Sequence, residues 1–94
     1  MDKKRDKDIV AALTEVCEMA KLESEGFAWI SHRVNLQRFP ESLQISCVYF
    51  SASQLAEAKQ KGEQQALSHQ IVDGLANKGI VLAKPKRQIE FISE

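Results

Sequence analysis

The stretch FAWISHRVNLQRFPESLQISCVYF, residues 27 to 50, alternates with a period of two and carries apolar residues on both of its alternating faces. Ala28, Ile30, His32, Val34 and Leu36 point one way, while Phe27, Trp29, Ser31, Arg33, Asn35 and Gln37 point the other. Pro40 cannot donate to a strand ladder, so Arg38 to Ser42 reads as the connection of a hairpin. The second strand then sends Leu43, Ile45, Cys47 and Tyr49 inward and leaves Gln44, Ser46, Val48 and Phe50 on its reverse. One face of such a hairpin must meet a core, which raises the question of what the other face is for.

Helical spacing on both sides of the hairpin supplies the covering layer. Ile9, Leu13, Val16 and Ala20, with Val10 and Cys17 beside them, form one helical face, with Asp6 or Asp8 as its cap. Gly26 is expected to end that helix in a left-handed conformation. At FSASQL the period changes from two to 3.6: Ser51 and Gln54 match a capping box, and Phe50 and Leu55 occupy the positions of a hydrophobic staple. Gly62 predicts a break or kink, since glycine costs about 1 kcal/mol relative to alanine inside a helix. Leu67, Ile71 and Leu75, supported by Ala66 and Val72, resume the pattern until Asn77 and Gly79 cap it.

The remaining runs, IVLA and QIEFI, are β-prone and separated only by KPKR, so they read as a second hairpin. The expected fold is therefore α+β in the order α-β-β-α(kinked)-β-β. Two helices would lie on one face of a mainly antiparallel four-stranded sheet. Residues 1–94 form one domain, because 94 residues can support only a single core, and residues 1–5 are expected to be flexible.

Thirteen Lys and Arg balance thirteen Asp and Glu, so no global field draws the chain to nucleic acid or to an acidic membrane. The opening MDKKRDKDIVAAL has no apolar export segment, and no run reaches the ~18 apolar residues of a membrane span, which points to the cytoplasm and to no membrane partner. In that reducing compartment Cys17 and Cys47, both on apolar faces, read as free thiols.

Catalytic patterns are weak throughout. Ser31 and His32 are strand neighbours that point to opposite faces, so they cannot act as nucleophile and base. His69 and Asp73 have the i, i+4 spacing of a surface hydrogen bond, and a zinc site would need more than one imidazole there. There is no Gly-rich phosphate loop, HExxH, CxxC or strand-borne carboxylate pair followed by Lys; Glu57 and Lys59 give ExK only on a helix. The expectation is a domain with no cofactor, no metal and no catalytic residue, a small hydrolase or nuclease ranking third among its readings.

The other face of the hairpin then carries the functional reading. Trp29, Arg33, Asn35 and Gln37, with Val48, Phe50 and Ile92, would form an uncovered sheet surface of the sort that marks a binding site. A homodimer or another protein partner could bury Trp29 and Phe50, with Arg33 paired across to Glu90 of a second copy. Single-stranded RNA or DNA is the alternative, stacking bases on Trp29 and placing phosphates near Arg33 and the turn carrying Lys84, Lys86 and Arg87. A plain solvated face, with Trp29 tucked under the N-terminal segment, is the bland one. Lys3, Lys4, Arg5 and Lys7 form a second basic cluster, diluted by Asp2, Asp6 and Asp8.

KKRDKDIVAALTEVCEMAK, RVNLQRFPESLQISCVYF and KPKRQIEF together resemble small bacterial proteins sometimes labelled Fis-like transcriptional regulators, over nearly the whole chain. The resemblance implies a regulatory role. Its segments are structural and carry over no DNA-contacting position, since Fis closes on a helix-turn-helix and this chain closes on RQIEFISE, a strand pattern.

Overall fold

The chain folds as a mixed α+β unit in which helices cover one face of a three-stranded sheet. The computed structural model describes residues 2–39 and 41–94; for residues 2–5 and Leu36 it describes the backbone alone. Pro40, the predicted inward position of Leu36, the predicted flexibility of residues 1–5 and the cluster of Lys3, Lys4 and Arg5 therefore lie outside what is described. In chain order the elements are α1 (Asp2–Glu23), β1 (Phe27–Arg33), a 3-10 turn (Leu36–Arg38), β2 (Gln44–Tyr49), α2 (Ala52–Gln60), α3 (Glu63–Ala76), a helical turn α4 (Pro85–Gln88) and β3 (Ile89–Ser93).

Helix α1 starts well before Asp6 and Asp8, so neither caps it. Its buried ridge is Ile9, Ala12, Leu13, Val16 and Ala20, one stripe at helical spacing. This ridge meets α3 where Gly74 lies: a Cβ there would stand 3.6 Å from Val16 Cγ2 and 4.0 Å from Ala12 Cβ. Small residues at that crossing let the two helices approach closely. At the other end of α1, Gly26 is not in the left-handed region. Space is what demands glycine: a Cβ at Gly26 would come within 2.6 Å of Gln54 Cβ, and the Gly26 carbonyl accepts the Phe50 N–H at 2.9 Å.

β1 and β2 pair antiparallel, as the alternation requires, but a register shift between Phe27 and Trp29 turns Phe27 inward. Phe27 is buried and sets its ring edge-on to Tyr49, centroids 5.5 Å apart. Its expected place on the outer face beside Trp29 is thus corrected by a bulge. β1 also stops at Arg33, four residues sooner than the alternation suggests. Asn35 Oδ1 accepts the Gln37 N–H at 3.0 Å, and Ser42 Oγ both accepts the Asn35 N–H (2.9 Å) and donates to its carbonyl (2.6 Å). Those bonds draw the backbone out of the ladder.

Half of the expected capping box forms, the Gln54 side chain meeting the Ser51 hydroxyl in place of its N–H. Ser51 Oγ accepts the Gln54 N–H at 3.2 Å and donates to Gln54 Oε1 at 3.1 Å, opening α2. Gly62, with φ +78°, separates α2 from α3, so the expected kink is a full break. α3 closes on a Schellman motif: Ile80 N–H bonds the Leu75 carbonyl and Gly79 N–H that of Ala76, with Gly79 at φ +80° and Ile80 and Leu75 both buried.

The second hairpin does not form. Ile80 and Leu82 are buried and Val81 is 69% exposed, so the segment alternates, yet it fills the core without joining the ladder. KPKR is not a hairpin turn either. Pro85 sits at the first position of α4, where its missing N–H costs nothing, and the Arg87 and Gln88 N–H groups both bond Lys84 O at 3.0 Å. Gln88, 4% exposed, then fixes the chain's return. Its Oε1 accepts the Lys84 N–H at 2.8 Å and its Nε2 donates to the Leu43 carbonyl at 3.0 Å, at the entrance to β2.

β3 accordingly runs parallel to β2, in the order β1-β2-β3. The sheet has three strands with one antiparallel and one parallel pair, in place of the expected four mainly antiparallel ones. The core lies between the sheet and the helices, with Ile9, Leu43, Ile45, Cys47, Ile71 and Leu75 fully buried.

Gln88→Leu keeps the volume but leaves a buried carbonyl and N–H without partners, and is expected to cost about 2 kcal/mol in urea unfolding. The same exchange at exposed Gln65 is expected to stay within about 0.5 kcal/mol. Equal midpoints for the two variants would refute the clamp.

Candidate functional site

β2 is the middle strand, so its outward residues set the character of the uncovered face. The register aligns Trp29, Val48 and Ile92 in one row across all three strands, and Ser31, Ser46 and Glu90 in the next. Val48, between Trp29 and Ile92 in that row, is only 4% exposed, while Trp29 (41%), Ile92 (41%) and Phe50 (52%) stay open to solvent. Ser46 Oγ donates to Glu90 Oε2 at 2.6 Å. Arg33, exposed, stands one row further along, opposite Gln44.

Trp29, Arg33, Val48 and Ile92 therefore occupy the outer face, with Phe50 exposed just past the end of β2, and Trp29 is not tucked under the N-terminal segment. Asn35 and Gln37 do not share the face. Asn35, expected as a partner-binding residue, lies beyond the end of β1 and caps the 3-10 turn with its side chain. Outward alternation could be extended to residue 37 only while the local side-chain bonds at Asn35 and Ser42 were unknown.

Lys84, Lys86 and Arg87 are brought together, but elsewhere. They line one end of a groove of about 980 Å³ between α3 and the β3 edge, whose apolar floor includes Val72, Ile89 and Phe91 and whose far wall includes His69 and Asp73. Ile89 and Phe91 share the inward side of β3 with the core-facing positions Ile45 and Cys47 of β2, so this groove opens on the helix side of the sheet. Trp29 belongs to the opposite side. Nothing in the linear pattern separates Val72 and Phe91 from ordinary core residues, because the groove exists only where helices leave β3 partly uncovered.

The remaining titratable groups sit apart. His32 Nε2 lies 3.5 Å from Asp6 Oδ1, so this strand histidine faces α1 and not the open surface. Among the described residues no group of His, Cys, Asp and Glu side chains is arranged to hold a metal ion, and no helix is long and apolar enough to cross a membrane. Cys17 and Cys47 are free thiols, Cys17 half-buried and Cys47 fully buried.

No protein-family model matches the chain, and no curated protein or solved structure shows significant similarity to it.

Burial, and then the neighbouring Cys17, pushes the Cys47 thiol up from 9.0 to about 12; burial, and then Glu63 and Cys47, moves the Tyr49 hydroxyl from 10.0 to about 12. Both are acids held protonated by the fold. Above pH 9 the unfolded chain ionises first, so their contribution to stability is intact below pH 9 and is lost as pH rises towards 12. In a Cys17→Ser background, buried Cys47 is expected to react with a disulfide reagent at pH 8 far more slowly in the folded state than in urea. Comparable rates in the two states would contradict its burial.

Proposed function

We propose that the chain is a non-catalytic binding domain that engages a second copy of itself, or another protein, through the outer face of its sheet. The observation that carries this reading is the row Trp29, Val48 and Ile92, which runs across every strand with Trp29, Ile92 and the following Phe50 exposed. A solvated antiparallel face usually alternates polar residues outward. Here the central outward position is a valine already buried, so a partner needs to cover only the tryptophan, isoleucine and phenylalanine.

A twofold axis parallel to the strands suits this face. It would lay β1 of one copy over β3 of the other, setting Trp29 against the second copy's Ile92 and bringing Arg33 towards its Glu90. Glu90 keeps one carboxylate oxygen beyond its bond to Ser46 for such a pairing. A regulatory role, implied by the Fis-like resemblance, would act through this contact.

Single-stranded nucleic acid is the second reading, favoured by the grouping of Lys84, Lys86 and Arg87. Trp29 and these cations face opposite sides of the sheet, so one strand of nucleic acid would have to cross a sheet edge to use both. The protein-binding reading needs no such detour.

Sedimentation equilibrium is expected to give about twice the 10.6 kDa chain mass, and Trp29→Ala to weaken the association at least about tenfold, as loss of a central aromatic anchor does. Arg33→Glu should weaken it and Arg33→Glu with Glu90→Arg restore it. A chain that stays monomeric at high concentration and shows no Trp29 quenching with proteins or oligonucleotides sinks the reading.

A further inference from the structure

β3 is an edge strand with unused backbone. The Glu94 N–H bonds the Tyr49 carbonyl at 3.0 Å, so by alternation Glu90, Ile92 and Glu94 turn their peptide groups to β2, while Ile89, Phe91 and Ser93 turn theirs to the free side. The Ile89 N–H closes α4 on the Pro85 carbonyl. By that alternation the edge carries the Ile89 carbonyl and both backbone groups of Phe91 and Ser93, an alternating set of acceptors and donors.

Natural sheets guard such edges with lysine, proline, a bulge or a covering element. β1, the other edge, has a bulge at Phe27/Trp29 and ends in Arg33. β3, IEFIS, contains no lysine and no proline, and its parallel register with β2 is unbroken. Beside it lies the groove, apolar at Val72, Ile89 and Phe91 and bordered at the start of the strand by Lys84, Lys86 and Arg87, against the single acid Asp73.

We propose that this edge accepts an added strand from a protein partner: an extended apolar segment flanked by Asp or Glu. Its peptide groups would continue the sheet at Ile89, Phe91 and Ser93, alternate apolar side chains would enter the groove, and the flanking carboxylates would meet the three cations. The edge itself selects this occupant over nucleic acid. The edge presents N–H and C=O groups in alternation at the strand repeat, which an added peptide strand matches and a sugar-phosphate backbone does not. The proposal does not rest on the outer face, since the two surfaces lie on different sides of the sheet.

The test uses the full chain and two fluorescein-labelled probes, Glu-Glu-Val-Thr-Val-Thr-Val and its reversed sequence, read by anisotropy and amide hydrogen exchange. At least one is expected to bind, slowing exchange at the Phe91 and Ser93 amides. Charge reversal at exposed Lys86 and Arg87 (Lys86→Glu with Arg87→Glu) should weaken that binding at least about tenfold with the circular dichroism unchanged. Trp29→Ala should leave it as it is, which separates this surface from the outer face. The proposal is overturned by absence of binding to both probes at millimolar protein, by binding that leaves the two amides unprotected, or by an oligouridylate that binds more tightly and displaces the peptide.

Discussion

A single buried amide anchors the closing segment of the chain, from Lys84 onward. Gln88 holds the Lys84 N–H with its oxygen and the Leu43 carbonyl with its nitrogen, so the helical turn α4 is tied to the entrance of β2. From that anchor the next residues run beside β2 in the same direction. The parallel third strand, the outer row ending in Ile92 and the groove beside Phe91 all follow from it. Buried polar groups are costly unless every valence is met, and here that requirement fixes a strand pairing that apolar contacts alone would leave open.

Placing β2 in the middle makes the domain two-sided. Its inward residues Ile45, Cys47 and Tyr49 pack under α1 and α3, and the thiol and phenol are held protonated there by the absence of water. Its outward Val48 is buried as well. α1 lies over β1 and packs closely on α3 through Gly74 and Ala12, α2 touches β3, and the groove lies between α3 and β3. A narrow crossing of small residues thus draws α1 and α3 together.

Much of this was legible in the sequence wherever the signal was local. The helical stripe from Ile9 to Ala20, the Ser51 cap, the break at Gly62 and the Gly79 cap depend on residues within a turn or two of each other, and each forms. The outward positions of Trp29, Val48 and Ile92 follow from the period-two pattern and hold for the same reason. Phe27 and Asn35 escaped because a bulge and a side-chain cap each break the alternation, and periodicity carries no mark of either. IVLA escaped because alternating burial of Ile80 and Leu82 looks alike whether the neighbour is a strand or a helix.

By itself, then, the sequence determined the helices and the two strands around the first hairpin, the caps at Ser51 and Gly79 and the outward places of Trp29 and Val48, since backbone geometry and capping are short-range. Only the tertiary structure decided the number of strands, the direction of the third and the place of Lys84, Lys86 and Arg87. Those depend on contacts between residues more than forty positions apart, such as Gln88 with Leu43. A one-dimensional pattern records what each residue prefers to touch, but not which distant partner supplies the contact.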